Sequence, residues 1–154
     1  MRSILIKTPF SRNQLATLIF ATVFMLFASA VNAHDLRTAA PEDARVYFIG
    51  LEDGDTVSSP VVVRFGLSGM GVAPAGVEQE HTGHHHLLLN LKVLPSLGAP
   101  LPSSENVIHF GKGQTETTLK LEKGTHTLQL LLGNHYHVPH NPPVMSEKIT
   151  ITVK

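Results

Sequence analysis

The stretch Val61-Val62-Val63-Arg64-Phe65-Gly66-Leu67 reads as a strand with one apolar side, because Val61, Val63, Phe65 and Leu67 alternate with Val62, Arg64 and Gly66. The same period recurs near the end of the chain, where Ile149, Ile151 and Val153 oppose Lys148, Thr150 and Thr152. An apolar face opposite a polar one is the pattern of antiparallel sheets with one covered and one solvated side. No segment after Ala39 carries a helical period. Short runs rich in Val, Ile, Leu and Thr instead predict seven strands, over 45–50, 61–67, 85–93, 106–110, 115–121, 125–132 and 147–153. Gly, Pro, Asp and Asn punctuate every junction. Seven such strands in this length predict an all-β fold, a seven-stranded immunoglobulin-like antiparallel sandwich over residues 45–154.

The first 33 residues stand apart as a signal peptide. Arg2, Lys7 and Arg12 form a basic start, Leu15 to Ala28 an apolar middle, and Val31-Asn32-Ala33 a small-residue cleavage site, with Ala28-Ser29-Ala30 as its competitor. The apolar run from Leu15 to Val31 is only 17 residues, at the short limit for a membrane span. Cleavage leaves an arm over 34–44 and the sandwich domain, and places the chain in the periplasm or outside the cell. Residues 34–154 hold 9 basic residues against all 12 acidic ones, a net charge of −3 with no basic run. That balance argues against nucleic acid or a membrane surface as partner. The chain has no cysteine, which excludes disulfides, thiolate zinc sites and a blue-copper centre.

What stands out is histidine, ten of them in 154 residues. Gly83-His84-His85-His86-Leu87 opens one strand, and Asn134-His135-Tyr136-His137-Val138-Pro139-His140 follows another. In a sandwich of this type the third and sixth strands are antiparallel neighbours, so the start of one lies beside the end of the other. Parity with Leu87 and Leu89 turns His85 inward and His84 and His86 outward. Parity with Leu128, Leu130 and Leu132 turns His135 and His137 outward as well, unless the chain slips near Gly133. The expected metal ligands are therefore His84, His86, His135 and His137. His85, His109, His140, Met70 and Met145 are secondary candidates at the same end, and Glu78, Glu80, Glu105 and Glu116 lie near enough to fix ring tautomers.

Neutral imidazole is a common ligand for copper and zinc, and two His-x-His pairs can close a four-coordinate site. A nearby methionine would favour reduced copper. His34 adds another possibility, because after cleavage at Ala33 its amine and ring can chelate copper together, as in the copper-binding sandwiches this arrangement is similar to. The competing account is that the histidines stack and hydrogen-bond with no ion, in a module that contacts an envelope protein or glycan. A third is a small metalloenzyme with three histidines and a water on the ion. His126, by contrast, occupies the place of a corner tyrosine, which predicts a structural hydrogen bond back to the turn before its strand. No Ser or Cys nucleophile arrangement, phosphate-binding loop or carboxylate pair is readable.

Val57 to Val61, Gly69 to Gly76, Gly83 to Leu89, Ile108-His109-Phe110-Gly111, Gly113 to Thr117 and His126 to Val153 together resemble the bacterial exported family 4399 of domains of unknown function (DUF4399). The resemblance implies an exported domain and no particular activity.

Overall fold

A computed structural model describes residues 35–154. The expected signal peptide, residues 1–33, and His34 lie outside the described residues. Within them the chain is all β, with no helix and nine strands rather than seven: β1 Arg45–Ile49, β2 Thr56–Val57, β3 Val61–Ser68, β4 Gly71–Val72, β5 Thr82–Leu89, β6 Val107–His109, β7 Glu116–Leu119, β8 Gly124–Gly133 and β9 Ile149–Val153. Each of the seven expected strands overlaps one of these. The additions are β2 and β4, two residues each.

The strands form two sheets. One has the order β1-β3-β7, and the other runs β2-β9-β8-β5-β4 with β6 joined to β5. Alternation in β3 behaves as the sequence predicts, with Val61, Val63 and Phe65 buried and Val62 and Arg64 exposed. These side chains meet Leu87, Leu128, Leu130, Leu132, Ile149 and Ile151 of the other sheet in one core. Burying each such side chain stabilises the fold by about 1.5–3 kcal/mol.

The expectation of one wet face fails for β5 and β8. From Leu128 to Gly133 every residue of β8 is buried, whichever side it faces. The reason is a second apolar cluster, in which Leu88 and Leu131 pack beneath Leu101 and Val107, with Leu91, Leu97 and Met145 around them. The connection from β5 to β6 thus folds over the outer side of the sheet. It delivers β6 antiparallel to β5, with His86 opposite His109 and Leu88 opposite Val107. That pairing positions the site.

Candidate metal centre

On β5 the alternation holds. His85 turns inward, its ring 5.2 Å from Phe65, while His84 and His86 turn to the opposite side with Leu88. All three are buried, at 0%, 0% and 1% exposure. His109 arrives from β6 as the cross-strand partner of His86, the two rings stacked 5.1 Å apart.

His137 comes from the turn after β8, where the expected extended chain is replaced by a tight reversal. Asn134 N donates to Val138 O at 2.9 Å and His137 N to Asn134 O at 2.8 Å. The buried Asn134 side chain holds the turn from within. Its Oδ1 accepts from the backbone N of Tyr136 and Val138, and its Nδ2 donates to Leu36 O at 2.8 Å. His137 sits in the left-handed region at φ 65°, a conformation uncommon for a residue with a side chain. The turn breaks the parity predicted for His135 and His137. His137 folds back over the sheet, 5.0 Å from His84 and 4.6 Å from His109 by ring centroid. His135 instead packs its ring on Tyr136 at 4.0 Å and lines a cavity of about 270 Å³ with Thr38, Glu78 and His81.

The assembled group is therefore His84, His109 and His137, with one nitrogen of each within 4.8 Å of the others. His86 adjoins it. Glycines make the room: a Cβ on Gly133 would come within 2.7 Å of the His86 ring, and one on Gly111 would land on the His109 ring. The remaining candidates have other neighbours. His140 Nδ1 bonds the Thr38 hydroxyl at 2.8 Å, tying the arm to this end of the domain. Met70 packs against the main core and Met145 against the second apolar cluster.

Burial keeps these rings neutral. It is the main cause that lowers His84 to about 3, reinforced by His109, His137, His85 and His140. Burial likewise leads in lowering His86 to about 3, with His84, His109 and His137 adding repulsion and the His84 backbone partly opposing it. His85 falls to about 4 by burial, partly opposed by the Gln114 backbone. His109 is lowered by burial and then by His137. At neutral pH His84, His86 and His109 thus carry lone pairs, the form a metal requires. Both nitrogens of His84, Nδ1 of His86 and Nε2 of His109 are buried without a hydrogen-bond partner. Each such atom costs roughly 1–3 kcal/mol, so a cluster of them calls for a reason beyond packing.

A family model described as "Domain of unknown function (DUF4399)" matches residues 63–154. The chain belongs to this family. The stretch matched to DUF4399 contains His84, His86, His109 and His137, so the whole candidate centre lies within it. No curated protein and no solved structure matches the chain.

His126 supplies the contrast. Its Nε2 meets Glu122 O at 2.8 Å, back toward the preceding corner, and its Nδ1 meets Asn90 Nδ2 at 3.0 Å. Thr127 N donates to Asn90 Oδ1, which fixes the amide, so Asn90 Nδ2 donates to Nδ1 and Nε2–H donates to Glu122. Replacing His126 by Ala removes both bonds. It should lower stability by about 1–2 kcal/mol and leave metal affinity unchanged, as thermal melts and chelator-competition titrations would record.

Proposed function

We propose that this protein is an exported metal-binding module that carries or buffers a copper or zinc ion. The observation that carries the reading is the convergence of three imidazole nitrogens, from His84, His109 and His137, within 4.8 Å, with His84 held neutral by burial. Nitrogens on one tetrahedral zinc ion stand about 3.3 Å apart, given bonds of about 2.0–2.1 Å. Modest side-chain rotations would therefore close the rings on an ion. A donor set of neutral nitrogens, without thiolate or carboxylate, suits zinc or copper rather than calcium or magnesium.

The sheet orders support an immunoglobulin-like sandwich as the scaffold, since β1-β3-β7 and β9-β8-β5 have the order of strands A-B-E and G-F-C. The fourth main strand, β6, belongs to the β5 side rather than beside β7. Export rests on the sequence of residues 1–33.

A single preparation tests both parts. The protein, produced in bacteria with its own leader and purified without an immobilised-metal column, is weighed and then analysed for metal. The expected result is a mass lacking residues 1–33 and one equivalent of bound or bindable zinc or copper. Failure to hold any transition metal would favour structural histidines in an interaction module. Retention of the leader would overturn export by cleavage.

A further inference from the structure

A fourth ring, His86, packs against the three whose nitrogens lie within 4.8 Å of one another, and the spacing of all four can be set against that expected around an ion. The centroid separations are 4.8 Å for His84 and His86, 4.9 Å for His84 and His109, and 5.0 Å for His84 and His137. They are 5.1 Å for His86 and His109, 4.6 Å for His109 and His137, and 6.2 Å for His86 and His137. With bonds of about 2.0–2.1 Å and a ring centre ~1.1 Å beyond each nitrogen, four imidazoles on a tetrahedral ion have all six centroid separations near ~5.1 Å. A square-planar set would instead give four separations of ~4.5 Å and two of ~6.3 Å. Five of the observed six lie within about 0.5 Å of the tetrahedral value, and only the pair His86 and His137 is long.

We propose that His86 supplies a fourth nitrogen, and that His84, His86, His109 and His137 form a closed tetrahedral site built for Zn²⁺ rather than for flat Cu²⁺. This rests on the metal-binding reading and narrows it. Two further features of His86 point the same way. Its Nδ1 is buried without a partner. Its ring also lies over Gly133, where a Cβ would stand 2.7 Å from Cε1 and 3.2 Å from Nδ1, so a side chain at Gly133 would displace it. The strand pairing that sets His86 opposite His109 fixes both on a rigid pair of strands, while His137 rides on a turn and is partly exposed. The ion is therefore held from below by three strand-borne rings and closed from outside by one turn-borne ring. With every position taken by protein, water has no place on the ion. Such a site stores or hands over metal and does not hydrolyse.

Cobalt is the probe, because Co²⁺ in tetrahedral nitrogen ligation absorbs strongly in the visible and six-coordinate Co²⁺ only faintly. The full chain loaded with Co²⁺ alone should show the intense band, and one equivalent of Zn²⁺ should erase it. In His86→Phe, which keeps a flat ring of somewhat greater volume, and in His86→Ala, water can take the vacated position, so the band should shift and weaken relative to the wild type. Zinc affinity measured by chelator competition should then fall by at least about 10-fold, since even partners outside the ligand shell are worth that much. Circular dichroism reports whether each variant is folded, and an unfolded His86→Ala leaves His86→Phe to decide. A faint spectrum in the wild type, binding of Cu²⁺ alone, or a folded His86→Phe with an unchanged spectrum would overturn the fourth ligand while leaving metal binding intact. If the wild type takes up none of Co²⁺, Zn²⁺ and Cu²⁺, the metal-binding reading falls with it.

Discussion

His84→Leu is expected to make the metal-free protein more stable and to abolish tight metal binding. Both ring nitrogens of His84 are buried without partners, in a side chain with 0% exposure. Leucine approximates its volume and has nothing to desolvate. Removing these unsatisfied groups should raise the stability of the metal-free chain by about 1–2 kcal/mol. The same change deletes the ring that adjoins His86, His109 and His137 alike. Zinc affinity should fall by at least about 100-fold, the upper figure for loss of a mere supporting partner. Opposite signs for stability and binding are what a functional group held at structural expense produces. Thermal melts in a chelator, set beside competition titrations, check both halves. A less stable His84→Leu with unaltered zinc uptake would mean that the histidine serves the fold, as His126 does.

Much of this arrangement was legible in the sequence, and the parts that were not share a cause. Strands with one apolar side could be read by alternation, and so could the division of His84 and His86 from His85, because Leu87 and Leu89 set the parity of β5. Alternation says nothing about partners. That β6 adjoins β5, placing His109 opposite His86, follows from the path of residues 90–106, which is rich in Pro and Ser and has no period. Leu97 and Leu101 in that path look like loop residues, yet they belong to the second apolar cluster. The uninterrupted leucines at 87–89 and 130–132 were the available sign that these strands are covered on both sides. His135 and His137, expected on the same side, part at a turn stabilised by one buried asparagine side chain, and the left-handed φ of His137 leaves no trace in a period-two pattern. Gly133 was readable as a place where the chain can slip. Its role is instead to leave space for the His86 ring.

Acid should unfold the metal-free protein as the pH falls from 6.5 toward 4, and zinc should postpone the transition. His84 and His86 have folded values of about 3 and His85 about 4, against 6.5 for a free histidine. Below pH 6.5 the unfolded chain takes up protons on these three rings, and the folded chain does not until the pH approaches 4 and then 3. The unfolded state therefore binds more protons throughout that window, and stability falls as pH falls through it. Above 6.5 the contribution is fully present. Each excess proton steepens the loss by up to about 1.4 kcal/mol per pH unit, so three rings remove about 4 kcal/mol per unit once all are engaged. Against a stability of about 6–10 kcal/mol, within the typical range, the midpoint should lie between about pH 5 and about pH 4. Zinc binds the neutral rings of the folded state and should shift that midpoint to lower pH in proportion to the logarithm of its free concentration. Far-ultraviolet circular dichroism against pH, with and without zinc, measures both effects. In His84→Leu one titrating ring is gone, so the metal-free slope should be shallower and the zinc shift absent. Stability independent of pH between 6.5 and 4 would contradict neutral, buried histidines at this end of the sheet.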